Sequence, residues 1–389
     1  MKDLVKYGDM RQFGGILPLQ LTDGPEAGVR GALIRSGSGL NILVLADRGM
    51  DIGFAEYKGR SLNYNSPTGF ISPAYYEPQG NGWLRGFYGG LLVTGGLTYM
   101  GAASVDEGEE LGLHGRASYI PARNFCAAGR WEGDNYVMRV SGEIREAKMF
   151  GPNVSLNRQI KVNFGEKSFD INDTVTNEGF SKTPFMILYH FNLGYPLLSP
   201  NSKFISTSTL YVPRDDEAWK DHELHDAFEV PIKNYKEKVY FHDLAADEEG
   251  YAYAGLINDN WGIRFKFKKS SLKRLVEWKM MGEGTYVLGV EPSNALVMGR
   301  AAERKWGTLE FLEPGEKREI SVNVEIIDGK DEVNRFLQTV QKITDGSKPK
   351  VARDLEDFIK SAKARRARLN KIYRLRLLCQ PIFCGENNP

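Results

Sequence analysis

Apolar residues recur at every second position through much of this chain, the period of a strand with one face buried and the other wet. In residues 136–145, Tyr136, Met138, Val140, Gly142 and Ile144 share one face, and Arg139, Ser141, Glu143 and Arg145 share the other. Leu156, Ile160, Val162 and Phe164 alternate with Ser155, Asn157, Gln159, Lys161 and Asn163. The period returns in Phe169, Ile171, Asp173 and Val175, in Trp261, Ile263, Phe265 and Phe267, and in Ile320, Val322, Val324 and Ile326. Turn clusters such as Gly165-Glu166-Lys167 and Glu313-Pro314-Gly315-Glu316 separate these runs. Helical spacing is scarce. It occurs in Val333, Phe336, Leu337, Val340 and Ile343, with Asp331 as the expected cap, and again in Leu355, Phe358, Ile359, Ala362, Leu369, Ile372 and Tyr373 amid Lys and Arg. The pattern predicts an all-β protein: one large antiparallel β-sandwich over residues 1–345 with few short helices, then a basic helical C-terminal tail over 346–389 that is either packed on the sandwich or partly disordered.

Composition narrows the function. The 389 residues are 41% hydrophobic, enough for a sizeable core, and 51 Lys plus Arg balance 50 Asp plus Glu. Such a balance offers no field to gather nucleic acid or an acidic membrane surface. The balance is uneven: from Lys348 onwards eleven basic and four acidic residues give a local +7, leaving about −6 for the main body. Cys126, Cys379 and Cys384 have neither disulfide nor zinc spacing, which points to a reducing cytoplasm. The N-terminal MKDLVKYGDMRQFGG lacks the apolar core of a signal peptide, and no run of 18 apolar residues occurs. No P-loop or strand-borne GxGxxG supports a nucleotide-binding fold.

Among five histidines, two stand where the backbone opens. His190, in LYHFNLGYP, lies where a β-rich run gives way to turn residues, so its ring can face a cleft. His114, in LGLHGR, has glycines on either side that permit a tight turn. Upstream, residues 82–90 combine Arg85 with Trp83, Phe87 and Tyr88, and aromatic faces beside a planar donor fork suit the CH face and hydroxyl rim of a sugar. Glu291 ends an apolar run before Pro292, where partial desolvation raises a carboxylate toward the range of a general base. His222 and His225 lie in a polar stretch that reads as a solvated loop, and the role of His242 is open.

Four motifs, GLHGR at 112–116, YHFNLGYP at 189–196, GVEPSN at 289–294 and FLEPGEK at 311–317, stand in the order of their counterparts in aldose 1-epimerases. Over roughly residues 40–328 the chain therefore resembles the galactose mutarotase-like superfamily. It is most similar to a divergent branch, mostly of unassigned substrate, that carries DRGMDI, here at 47–52, and GRAAERxxGTLxFLEPGE, here from Gly299. The resemblance implies a mutarotase-like supersandwich that interconverts the α and β anomers of a sugar by ring opening, with no metal or other cofactor. It implies His190 as acid in its protonated form, Glu291 as base in its ionised form, and His114 holding the ring or anomeric oxygen. Arg85 resembles an arginine that holds sugar hydroxyls, and Arg48, Asn192 and Trp278 are expected in the pocket wall. Tyr189 replaces the family's Asn, Arg116 its second Gly, and no counterpart of its hydroxyl-gripping aspartate is found. Two other readings stay open: a metal-dependent sugar isomerase with His114, His190 and Glu291 as ligands, and a non-catalytic carbohydrate-binding sandwich.

Overall fold

Cross-strand pairing explains why the alternating runs fold as they do. Val140 pairs with Ile160, Ile160 with Ile171, Ile171 with Val322, Val322 with Phe267, and Phe267 with Ala252. This apolar row crosses six neighbouring strands and is buried throughout. A one-residue slip in any strand would turn its share of the row into water.

The computed structural model describes residues 4–364. The row belongs to an eight-stranded sheet ordered Arg123–Glu132, Asn135–Ala147, Asn153–Asn163, Ser168–Asn177, Lys317–Asp328, Trp261–Lys268, Tyr251–Asn258 and Ser202–Ser206. It packs against a thirteen-stranded sheet. The middle of that sheet runs Asp51–Tyr57, Leu92–Leu97, Thr183–Gly194, Thr285–Ser293, Arg274–Gly282, Lys238–Leu244 and Ser208–Pro213. All ladders among the described strands are antiparallel except that of Lys350–Val351 beside Ser208–Pro213. The fold is thus the all-β antiparallel sandwich that the alternation predicts. The helix Lys330–Ile343 is present, but its cap position is Gly329, and Asp331 lies inside the first turn. No described helix is long and apolar enough to cross a membrane.

Two charged residues occupy core-facing positions of this sandwich. Arg158 and Asp173 pair across neighbouring strands of the smaller sheet, both fully enclosed, with Arg158 Nη2 2.7 Å from Asp173 Oδ2. Arg158 Nη1 also reaches the larger sheet, 3.1 Å from Asp51 Oδ1 and 2.8 Å from Thr94 Oγ1. Tyr189 of the larger sheet donates back to Asp173 Oδ2 at 2.6 Å. The two sheets are therefore joined through hydrogen-bonded charge as well as through apolar contact. Burial raises the pKa of Asp51, and Arg158 opposes that shift.

The beginning of the expected tail is part of the body. After Lys350–Val351 joins the sheet edge, residues 355–364 form a helix, and Phe358 and Ile359 pack against Leu210, Val212, Val239, Phe241 and Val276. Leu369, Ile372, Tyr373, Cys379 and Cys384 lie outside the described residues.

Two outcomes follow for stability. Arg158→Ala leaves buried Asp173 without its cation and is expected to cost about 3–5 kcal/mol in urea denaturation, whereas a substitution on a wet face, such as Lys161→Ala, costs almost nothing. A chain ending at Ser347 uncovers the seats of Phe358 and Ile359. At about 1.5–3 kcal/mol for each buried side chain, it should unfold at a lower temperature and bind a hydrophobic dye, which differential scanning and dye fluorescence measure.

Candidate active site

His190 and Glu291 are brought together by strand pairing. Their strands, Thr183–Gly194 and Thr285–Ser293, are neighbours, and the two residues fall between the paired Leu188↔Ser293 and Phe191↔Val290. Alternation sends Tyr189, Phe191 and Val290 into the sandwich core and leaves His190 and Glu291 on the opposite face. His190 Nε2 lies 3.3 Å from Glu291 Oε1. Gly289 provides the room: a Cβ there would stand 2.4 Å from Glu291 Oε1 and 2.9 Å from Trp278 Cβ.

His114 arrives from a loop. It has a left-handed φ of 53°, its N–H donates to Gly101 O at 2.8 Å, and its carbonyl accepts from Gly96 N at 3.0 Å. Gly115 follows at φ 82°, where a Cβ would come within 2.4 Å of two carbonyl oxygens, so no other residue fits this bend. The bend sets the His114 ring 5.8 Å from that of His190, edge to face.

The three residues share a cavity of about 420 Å³ with Trp83, Phe87 and Trp278 in its walls. Trp83 lies 4.8 Å from the His114 ring, and Phe87 and Trp278 lie 5.4 and 5.5 Å from that of His190. Arg214 and Glu237 supply further charge, with Arg214 Nη2 2.9 Å from Glu237 Oε1 and Trp278 Nε1 donating to Glu237 Oε2 at 2.9 Å. Trp83 Nε1, His114 Nδ1 and His190 Nδ1 are buried without a hydrogen-bond partner among the described residues. A polar ligand would satisfy them.

Burial sets the protonation of the pocket. It raises the pKa of Glu291 well above the usual carboxylate range, helped by the nearby charge of Glu237, and lowers that of His190 well below the usual imidazole range, helped by His114. Burial also pushes His114 down to about 4. These shifts favour a neutral Glu291 and neutral histidines, whereas the chemistry expected from the sequence uses an ionised Glu291 and a protonated His190. Both arrangements contain the same number of protons, and they differ in which partner holds one of them.

The remaining expected residues divide. Trp278 stands in the wall, as expected, but Arg85 does not line the cavity: its side chain is 74% exposed and pairs with Glu77 at 3.0 Å. The short helix Gly82–Gly86 turns Trp83 inward and Arg85 outward. Arg48 is wholly buried behind the pocket, donating to the carbonyls of Ser118, Ile71 and Gly86 between the rings of Tyr88 and Tyr119. It braces the loops and touches no open space. Asn192 is likewise buried and spends its amide on Gly89 O and His190 O. Arg214 and Glu237, by contrast, escaped the sequence reading. They stand at strand ends in the charged stretches PRDDE and NYKEK, which look like solvated loop. The ligand atoms of His114, His190 and Glu291 are not gathered as a metal trio would be. Among the described residues, the three-residue group meeting that test is His225, His242 and Glu277.

A sandwich of this topology with an aromatic-walled pocket on the outer face of its larger sheet has the galactose mutarotase-like fold. A crystal structure of a candidate aldose 1-epimerase from Klebsiella pneumoniae subsp. pneumoniae superposes with a TM-score of 0.84 at 24% identity, covering 90% of this chain and 92% of that one. A galactose mutarotase-like protein from Clostridium acetobutylicum gives 0.58 at 12% identity, covering 82% and 99%. The galactose 1-epimerase from Lactobacillus acidophilus gives 0.54 at 13% identity, covering 81% and 99%. These likenesses establish the fold. By sequence the chain belongs to the family described as Domain of unknown function (DUF4432), which matches residues 26–326. No curated protein matches it.

The raised pKa of Glu291 carries a sign that can be tested. Below an unfolded pKa of about 4.3 the carboxyl is protonated in both states and costs nothing. As pH rises, the unfolded chain ionises first, so the wild-type protein loses stability until the folded carboxyl also ionises. Glu291→Gln removes this loss. Its melting temperature relative to wild type should climb as pH rises above the unfolded carboxyl's value of about 4.3. A difference independent of pH would mean that the folded carboxyl ionises as in water.

Proposed function

We propose that this protein is an aldose 1-epimerase-like isomerase that interconverts the anomers of a sugar or sugar derivative by acid–base ring opening. The observation that carries the reading is the 3.3 Å approach of His190 Nε2 to Glu291 Oε1 in an aromatic-walled cavity. The anomeric hydroxyl and the ring oxygen are bonded to the same carbon, so a general acid and a general base serving both must themselves be neighbours. Passing one proton from Glu291 to His190 creates an ionised base and a protonated acid without exchange with solvent.

In the productive state Glu291 takes the proton of the anomeric hydroxyl and His190 gives one to the ring oxygen. The carbon–oxygen bond of the ring breaks, and the free aldehyde forms. Rotation about the neighbouring carbon–carbon bond presents the other face of the carbonyl, and both transfers reverse to close the other anomer. His114, neutral near pH 7, hydrogen-bonds the oxygen on which charge builds up. Trp83, Phe87 and Trp278 take the CH face of the sugar. Glu237, held by Arg214 and Trp278, takes hydroxyls in place of the aspartate absent from the sequence. The protein's own part in each step is the transfer of protons to and from the sugar as its ring bond breaks and re-forms.

The test is NMR or polarimetry on freshly dissolved pure anomers at low buffer concentration, since buffer itself catalyses the reaction. His190→Ala and Glu291→Gln should each lower turnover about 10²-fold or more with the fold intact. Wild-type rates in either variant would remove the assignment.

A further inference from the structure

A second histidine–carboxylate group is enclosed within the sandwich, away from the pocket. His242 lies on Lys238–Leu244, Glu277 on the adjacent Arg274–Gly282, and His225 at the end of the short helix His222–Leu224. We propose that His225, His242 and Glu277 bind a transition-metal dication of the zinc class, which fastens the loop between Arg214 and Glu237 to the larger sheet.

The geometry comes first. His225 Nδ1 lies 2.8 Å and His242 Nε2 3.1 Å from the same Glu277 oxygen, Oε2, and all three ligand atoms fall within 4.8 Å of one another. Bonds of about 2.0–2.2 Å to a tetrahedral ion set ligands about 3.3 Å apart, so a modest spreading of these side chains admits the ion. The other nitrogen of His242 is 3.0 Å from Ser208 Oγ, the kind of outer contact that orients a ligating imidazole. Two imidazoles and one carboxylate suit zinc, cobalt or nickel better than magnesium or calcium.

Two further groups await a partner. Glu277 is wholly buried, yet its Oε1 has no hydrogen bond among the described residues. Tyr240 pairs directly across from Glu277, and its buried hydroxyl is also without a partner. A bound ion would use the charge on Glu277 and leave its fourth position to the Tyr240 oxygen or to water.

Position gives the site its consequence. The loop that contributes His225 begins at Arg214 and ends at Glu237, both of which line the pocket. Lys279 already ties the loop down, donating to Ala227 O at 2.6 Å and Leu224 O at 3.2 Å. Glu277 and Trp278 are consecutive on one strand, one turned into the sandwich and the other into the pocket. Metal binding would thus hold the charged side of the pocket in place without touching the sugar.

The inference is independent of the reaction assigned to the pocket, and its test measures metal alone. The full chain is stripped with chelator and titrated with Zn(II) by calorimetry, then with Co(II) to record a visible ligand-field spectrum. One ion per chain, a tetrahedral cobalt spectrum and a melting temperature that rises with free zinc are expected. His225→Gln, on the loop and so the mildest change, should weaken zinc binding at least about tenfold. His114→Gln and the double change Cys379→Ser/Cys384→Ser should leave binding unaltered. No saturable zinc binding together with an unmoved melting temperature overturns the proposal, the trio then being an ion pair between Glu277 and His225. Loss of binding in the His114 or double-cysteine variant, with retention in His225→Gln, equally overturns it by locating the metal elsewhere.

Discussion

A guanidinium shut away from water must be surrounded by acceptors, and the position of Arg158 makes those acceptors come from both sheets. Asp173 lies beside it in the smaller sheet, Asp51 and Thr94 accept from the larger, and Tyr189 of the larger sheet donates to Asp173. The registers of the strands that bear them are therefore fixed relative to one another. Anchoring Tyr189 fixes its successor as well, since alternation then turns His190 outward, opposite Glu291. The pocket stands on a charged contact made on the other side of the same strand.

The same low polarity that makes Arg158 demanding governs the pocket. Enclosed carboxyl and imidazole groups prefer to be neutral, so burial biases Glu291 toward keeping its proton and His190 and His114 toward giving theirs up. A neutral pair needs no counter-ion and leaves the cavity open to an uncharged ligand.

Much of this was legible in the sequence, and the exceptions have causes. Period-two runs disclosed the sandwich because one face of each strand is dry. His114, His190 and Glu291 could be found because a glycine bend and family motifs mark them, although His190 lies inside Thr183–Gly194 rather than where the strand gives way to a turn. Arg85 misled because, on a short helix, neighbouring side chains diverge: Trp83 turned in and Arg85 out. Arg48 and Asn192 answered backbone carbonyls that no sequence pattern displays. Arg214 and Glu237 sit at the ends of a long excursion, and only the closed fold brings them together. His225 looked solvated because its stretch is polar, yet it is pinned to Glu277 by residues some fifty positions away. Arg158 and Asp173 were visible as charges at apolar-face positions of adjacent strands, a mismatch that their pairing resolves.

The pairing of Tyr189 with His190 on a single strand limits where the chain can change. Neighbouring residues there face opposite ways, one into the interior lock and the next into the pocket, so an insertion or deletion within Thr183–Gly194 would exchange their places and disrupt both at once. Room for change in the pocket is left to its edges, to loops such as that between Arg214 and Glu237, which stand outside the paired strands.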